Sequence, residues 1–383
     1  MRPKVLLITN IPTPYRIPLF NVLHEELTQR GIDFSVAFGA LGYARRRWEI
    51  NLEDCRFPSE VLPTAKFRFS DPEHSSFTYD GLARLLRKLK PDLVIANGFS
   101  IATTKLWLRS LIRRTPYLIW SGAISNQESR HWLRRLQRGL LVRRAAGFIA
   151  YGSCARDYLV ELGAPKQRVE IGINTVDTSY YGAAEAKRTK NPEDAPKELI
   201  YVGHLTPGKR VDDILYIAKK LSAKRNDFIV RLVGSGHHED ALKTLTKELG
   251  LENTVRFEGF RQKPEVLGFL STAYCFLFPS IYDIWGLVLV EAMAAGVPCV
   301  ASIHAGGTCD LIQDGRNGFA VDFSDVDGVA GILDKLLDHP EQRRIMAGRA
   351  KAFIEQQVSL KKSAEGFVTA IERYLTAVPN RSS

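Results

Sequence analysis

The sequence predicts an α/β fold built from two doubly wound parallel sheets, one in each half of the chain. Three observations carry this expectation. Short apolar runs alternate with amphipathic stretches from the first residues onward. The alternation weakens after Asn174 and restarts near residue 198. The length of 383 residues suits two domains rather than one.

The elements of the first half follow in order. VLLITN (5–10), FSVAFG (34–39), LVIANG (93–98), YLIWSG (117–122) and GFIAYG (147–152) are apolar runs that end in Gly or Asn. They are too short for buried helices and not alternating enough for half-exposed strands, so they read as parallel strands covered on both faces. FNVLHEELTQRG and GLARLLRKLK between them carry helical periodicity. The opening MRPKVLLITN resembles a signal peptide only briefly; its apolar run is short and Asn and Pro follow, so it reads as the first strand. EAKRTKNPEDAPK (185–197) is charged, holds two prolines and lacks periodicity, which marks the domain linker or an exposed loop near it.

In the second half the strands are ELIYVGHL, FIVRLVGSG, VRFEGF, YCFLFPS, PCVAS and GFAVDF. The intervening helices cover VDDILYIAKKLSA, HEDALKTLTKELG, KPEVLGFLSTA and LVLVEAMAAG. The expected domains are 1–175 and 198–358. SLKKSAEGFVTAIERYLTAV reads as an amphipathic helix over about 360–378 that packs back on the first domain. In such sheets ligands bind at the carboxyl ends of the strands.

Composition narrows the function classes. The chain is 45% hydrophobic and 25% charged, ordinary for a globular protein, and no run of 18 apolar residues is present to span a membrane. Five cysteines, Cys55, Cys154, Cys275, Cys299 and Cys309, are scattered without C-x-x-C spacing, which argues against a zinc or disulfide framework and for a reducing cytoplasm. Charge is uneven. Residues 1–175 hold 27 Lys and Arg against 15 Asp and Glu, a net of +12, whereas the remainder is close to neutral. A strongly basic first half calls for an anionic partner.

The chemistry concentrates in YDIWGLVLVEAMAAGVPCV (282–300). Gly286 allows a tight approach into a helix, Gly296 caps its end and Pro298 stops it. Asp283 precedes the helix and Glu291 lies inside it. The backbone N–H groups of Ile284, Trp285, Gly286 and Leu287 form an anion site at its head. Acids beside an anion site fit a ligand that has both hydroxyls and phosphates. In YVGHLTPGKRVDD, Gly203 ends a strand, and Lys209 and Arg210 stand at the head of the next helix, where a cation opposes the helix dipole and suits a phosphate better; a solvated surface lysine is the alternative. GSGHH is a Gly-rich strand exit of low specificity. Asp325-Val-Asp327 has the spacing of an acid pair but reads as a helix cap rather than a metal site.

As a set, YVGHLTPGKRVDD, LVGSG, VRFEGF, FPSIYDIWGLVLVEAMAAGVPCVAS, GG and LIQDGRNGF resemble the retaining glycosyltransferases of family 4, across most of 199–323. YLVELGAPKQRVEIGINTVD resembles that family's strand into the domain crossover. The resemblance implies the two-domain GT-B-type fold. It also implies that Lys209 binds the donor diphosphate, Glu291 the ribose and the acid eight positions before it, Asp283, the donor sugar. It implies metal-independent transfer with retained anomeric configuration, in which the departing phosphate takes the acceptor proton. Two positions depart from the family pattern. Asp283 stands in place of the first Glu, and His204 stands where an arginine is usual, so Arg210 or Arg16 is expected to compensate.

In the first half, NIPTPYR (10–16) follows the first strand. Its prolines stiffen the loop, and Tyr15 and Arg16 are expected to line the ligand cleft, with a merely structural turn as the alternative. Asn97 ends a strand. Glu128, the one acid of a very basic region, either touches substrate or pairs with Arg130 or Arg134. KLWLRSLIRR (105–114) and RHWLRRLQRGLLVRR (130–144) mix Trp and Leu with arginine. That mixture suits an anionic membrane surface, with a solvated basic face as the alternative; no nucleic-acid motif accompanies it.

The expectation is a cytoplasmic glycosyltransferase, peripheral on the inner face of the plasma membrane. It moves a sugar from a UDP- or GDP-sugar, a substrate rather than a cofactor, to a cell-surface polysaccharide or lipid-linked glycan. A sugar-nucleotide epimerase on the same fold is the runner-up, and a non-catalytic nucleotide-sugar or membrane-binding module the third reading. Donor incubated alone separates them.

Overall fold

A computed structural model describes residues 2–42, 51–63, 66–68, 75–112, 116–125, 132–184 and 196–377. The chain forms two compact units, Met1–Val176 with Leu360–Ser383, and Asp177–Ser359.

The first unit runs β1 (Lys4–Thr9), α1 (Ile17–Gln29), β2 (Asp33–Phe38), β3 (Ser59–Val61), β4 (Lys66–Arg68), β5 (Ser75–Phe77), α2 (Leu82–Leu89), β6 (Leu93–Asn97), α3 (Ile101–Ile112), β7 (Tyr117–Ser121), α4 (Trp132–Arg144), β8 (Gly147–Ala150), α5 (Ser153–Glu161) and β9 (Val169–Ile171). Seven strands make one sheet in the order β3-β2-β1-β6-β7-β8-β9, every adjacent pair parallel, while β4 and β5 form an antiparallel pair. Strands β1, β7 and β8 are buried on both faces, as their unbroken apolar runs require.

The second unit runs α6 (Thr178–Gly182), β10 (Lys197–Val202), α7 (Val211–Ser222), β11 (Phe228–Val233), α8 (Glu239–Glu248), β12 (Val255–Gly259), α9 (Lys263–Thr272), β13 (Cys275–Phe278), α10 (Leu287–Ala294), β14 (Cys299–Ser302), α11 (Thr308–Leu311), β15 (Gly318–Val321), α12 (Val326–Asp338) and α13 (Pro340–Gln357). Its six parallel strands follow the order β12-β11-β10-β13-β14-β15. Leu199, Tyr201, Val230, Leu232 and Leu277 of the sheet meet Ile214, Leu215 and Ala218 of α7 in one buried cluster.

The last helix, α14 (Leu360–Ala377), belongs to the first unit. Its Phe367 ring lies edge-on to Trp120, with centroids 5.1 Å apart, and Trp120 meets Phe20 of α1 in the same manner at 6.1 Å. The second unit begins at Asp177, ahead of the charged stretch taken as the linker, because α6 packs on α10. Residues 185–195 lie outside the described residues. The three-residue strands β3 and β9 carry no apolar run long enough to announce them.

In each sheet the strand order reverses at one point, between β1 and β6 and between β10 and β13, and doubly wound sheets bind ligands at such points. Among the described residues no helix is long and apolar enough to cross a membrane, and no cluster of three or more His, Cys, Asp or Glu side chains could hold a metal. Asp325 caps α12: its Oδ1 accepts from the Gly328 N–H at 3.0 Å. Asp325→Ala is expected to cost about 1 kcal/mol of stability, as N-cap removals do. Denaturant titration checks it, and an unchanged midpoint would show that the cap contributes nothing.

Candidate active site

The second unit's reversal point brings the loops after β10 and β13 together. The loop after β10 forms a short 3-10 turn, Pro207–Lys209, and leads through Arg210, in the left-handed region at φ +51°, into α7. The loop after β13 reaches α10 through Gly286, whose φ is +82° and whose position would put a Cβ 2.6 Å from the Phe278 ring. Only glycine fits there. The Ile281 N–H donates to the Gly208 carbonyl at 3.2 Å, so the two loops are joined through backbone. The Gly-rich exit of β11 lies behind them. Gly234, at φ +146°, approaches the Gly203 carbonyl so closely that a Cβ would sit 1.8 Å away, and the His238 N–H donates to the Leu205 carbonyl at 3.0 Å. GSGHH therefore supports the loop that carries Lys209.

Lys209 and Asp283 meet at this point. The ammonium Nζ donates to Asp283 Oδ2 at 2.7 Å and to the Tyr282 carbonyl at 3.3 Å. Both side chains are largely buried, at 20% and 22% exposure. The other carboxylate oxygen, Oδ1, accepts from the Trp285 N–H at 3.0 Å. One acid thus holds both the lysine and the turn into α10. This corrects the expected set of free N–H groups over 284–287, because Asp283 itself takes the one at Trp285. Trp285 is buried and Ile284 partly exposed, and Leu287 opens the helix. The Asp283 carbonyl accepts from the Gly306 N–H at 2.9 Å, which gives the GG pair its place beneath the loop.

Glu291 lies further along α10 among residues that sequence reasoning missed. The Tyr181 hydroxyl of α6 donates a hydrogen bond to its carboxyl, and the Lys263 ammonium stands nearby. Burial pushes the Glu291 carboxyl up to about 7, against the hydrogen bond and the ammonium, which lower it. Lys263 opens α9. Its Nζ sits 4.0 Å from the Tyr180 ring centre and 5.4 Å from that of Tyr181, and burial lowers its pKa against the pull of Asp177 and Glu291. A lysine in the first turn of a helix opposes the dipole, so the reasoning that selects Lys209 would also have selected Lys263 in QKPEV.

Other expected residues are placed differently. Arg210 makes a two-point bond to Asp213 of its own helix, Nε to Oδ2 at 2.9 Å and Nη2 to Oδ1 at 2.7 Å. Asp213 sits one turn ahead with the geometry a guanidinium prefers, and the pairing ties Arg210 to the first turn of α7. The backbone of Gly203 pairs with β11, its N–H donating to the Val233 carbonyl at 2.9 Å, and the His204 carbonyl accepts from the Tyr201 hydroxyl at 2.9 Å. In the first unit Arg16 is buried. Its guanidinium lies 3.9 Å from the Trp120 ring centre, near the Tyr15 and Tyr151 rings, and donates to the Tyr151 hydroxyl. Asn97 donates from Nδ2 to Thr9 Oγ1 at 3.0 Å, tying β6 to β1 at that sheet's reversal point. Glu128, with Arg130, lies outside the described residues.

Residues 20–174 match the family model described as Glycosyl transferase 4-like domain, and residues 183–353 match that described as Glycosyl transferases group 1. The chain belongs to the GT-B-type glycosyltransferases. A glycogen synthase of Mycobacterium tuberculosis (strain CDC 1551 / Oshkosh) is 29% identical to this glycosyltransferase chain over 276 residues, which are 69% of the chain and 65% of the relative. The chain thus spans just under two thirds of that relative's length. Among solved structures, Anabaena Alr3699/HepE in complex with UDP is 20% identical, with a TM-score of 0.76 over 97% of this chain and 100% of that one. The lipopolysaccharide outer core galactosyltransferase WaaB, in its apo form, is 18% identical, with a TM-score of 0.70 over 97% and 99%. Both likenesses are of fold.

The Glu291 carboxyl gives the site a pH signature. Its pKa in the folded chain lies above its ordinary 4.5, so between pH 4.5 and about 7 the folded protein keeps a proton that the unfolded chain has lost. Stability therefore falls as pH rises through this window. Glu291→Gln is expected to remove that fall. Melting temperatures of both proteins across the window check it; parallel curves would show an ordinary carboxylate.

Proposed function

We propose that the protein transfers a sugar from a nucleoside-diphosphate sugar, UDP- or GDP-linked, to a hydroxyl of a cell-surface polysaccharide or lipid-linked glycan, with retained anomeric configuration. The observation that carries the reading is the Lys209–Asp283 pair at the head of α10, with Glu291 inside the same helix. The two family matches support the reaction class. HepE, a fold relative, is seen with UDP, and WaaB acts on the lipopolysaccharide outer core.

The chemistry follows from where charge develops. As the bond between the anomeric carbon and the phosphate oxygen breaks, that oxygen gains negative charge. The acceptor oxygen bonds to the same carbon, and its proton passes to the departing phosphate. Lys209, moved from Asp283 to the diphosphate, and the N–H groups in the first turn of α10 stabilise the leaving group. Asp283, released from the lysine, accepts from hydroxyls of the donor sugar, and Glu291 accepts from the ribose. In this reading Lys209 and the helix end supply the positive charge, and the transfer runs without a metal.

Lys209→Ala is expected to lower kcat by about 10²- to 10³-fold, as loss of one preorganised donor at a developing charge does. Wild-type kcat in the variant would reject the role. EDTA is expected to leave the rate unchanged; loss with rescue by Mg²⁺ or Mn²⁺ would overturn metal-free transfer. Asp283→Asn keeps an oxygen for the Trp285 N–H but loses the ion pair. It is expected to reduce transfer about 10- to 100-fold, the worth of a charge-assisted hydrogen bond, while nucleoside-diphosphate affinity holds or rises because Lys209 is freed. If Asp283 serves only the turn, calorimetry and kinetics on one sample will show a lower melting point with unchanged kcat.

A further inference from the structure

We propose that α3 and α4 form a docking face for an anionic lipid bilayer. The observation that carries this is that each helix has two apolar faces. On α4, Leu141 and Val142 are buried in the first unit, and Arg138 packs inward with its guanidinium 4.9 Å from the Phe99 ring centre and donates to the Tyr158 hydroxyl at 2.8 Å. Trp132, Leu133, Leu136 and Leu140 are nonetheless exposed, the first two at 71% and 62%. With 3.6 residues per turn these four fall within an arc of about 100°, on the side opposite Leu141 and Val142.

Helix α3 repeats the arrangement. Ala102, Thr103 and Leu106 are buried, while Ile101, Leu108, Leu111 and Ile112 are exposed, Ile112 at 89%, again within an arc of about 100° facing away from the buried set. The two helices are neighbours. Arg144 of α4 donates from Nη2 to the Ser110 carbonyl of α3 at 2.9 Å. A helix on a soluble domain needs one apolar stripe, turned to the core. A second stripe on each of two adjacent helices makes an exposed apolar patch of the kind that marks an interaction surface.

Charge selects the occupant. Neither helix carries an Asp or Glu, and α4 alone has five arginines. Arg135 and Arg143, beside the exposed stripe, are exposed and form no hydrogen bond or ion pair among the described residues. A second copy of this face would set arginines against arginines. An anionic bilayer offers phosphates to the arginines and acyl chains to the leucines, with Trp132 at the headgroup boundary where indole rings settle. The face stands on its own observations, independent of the transfer reading.

The test is co-sedimentation of the full chain, without donor, on vesicles of phosphatidylcholine alone and of phosphatidylcholine with phosphatidylglycerol in equal parts. The wild type is expected to bind the anionic vesicles and to be released by salt. Arg135→Gln with Arg143→Gln is expected to weaken binding about 25-fold, at roughly fivefold per basic residue. Leu133→Gln with Leu136→Gln is expected to weaken it by at least about tenfold at any salt concentration, since buried apolar area is lost. All four positions are exposed, so melting temperature and UDP affinity should not move, which separates this test from that of the transferase reading. Equal binding to neutral vesicles overturns the proposal, as does anionic binding that survives the leucine replacements. Self-association abolished by the leucine replacements, with no vesicle binding, would assign the face to a second copy.

Discussion

The contact between Lys209 and Asp283 organises the second unit's site. Two loops that begin 76 residues apart, after β10 (ending at Val202) and after β13 (ending at Phe278), are held in register by one ion pair and by the backbone bond from Ile281 to Gly208. The pair is largely buried, so neither charge can be left alone cheaply. A ligand that draws Lys209 away must therefore do two things. It must present negative charge to the ammonium and hydrogen-bond donors to the carboxylate. A diphosphate linked to a polyol meets both demands in one molecule. Asp283 keeps the Trp285 N–H while its other oxygen changes partner, so the turn into α10 can persist while the lysine moves.

Much of this was legible in the sequence because it rests on local rules. The strands were announced by apolar runs that only a sheet covered on both faces accommodates. Gly286 and Gly296 marked the ends of α10 because their backbone lies in the left-handed region, at φ +82° and +68°. Asp325 was read correctly as a cap because its spacing to the helix is a local property. The contacts of Glu291 were not legible. Tyr181 sits in α6, more than a hundred residues earlier, and Lys263 at the head of α9; only the order β12-β11-β10-β13 brings α9 near α10. Lys263 left a trace in its position against the helix dipole, but Tyr181 left none.

The arginines show a further limit. Sequence gives the sign and rough place of a charge but not its partner. Arg210 and Lys209 are neighbours in GKRVDD, and either could face a phosphate. The structure divides them. Arg210 takes Asp213 with two bonds at the start of α7, and Lys209 is the cation beside Asp283. Arg16, whose partners the sequence also hides, lies in the first unit. Its guanidinium is stacked on Trp120, which also bears the Phe20 and Phe367 rings, so it joins α1, β7 and α14 within the first unit's core. A planar, weakly hydrated cation can be buried against rings in a way that a lysine cannot.

The spacing between Asp283 and Glu291 then acquires a physical meaning. Eight residues place one acid in the turn before α10 and the other inside the helix, where their surroundings differ in kind. Asp283 has an ammonium at 2.7 Å. Glu291 has a hydroxyl and a more distant, half-buried lysine, and its carboxyl is held up to about 7. Its protonation is therefore balanced near neutrality, and a ligand that donates two hydroxyl hydrogens to the carboxylate would tip that balance toward the ionised form. A ribose supplies such a pair on adjacent carbons. A site holding one acid already paired to a cation and another poised to ionise on binding would discriminate between ligands by their hydroxyls as well as by their phosphates. Inorganic diphosphate could satisfy Lys209 alone, but it would leave the Glu291 carboxyl with no donors beyond the Tyr181 hydroxyl and the Lys263 ammonium it already has.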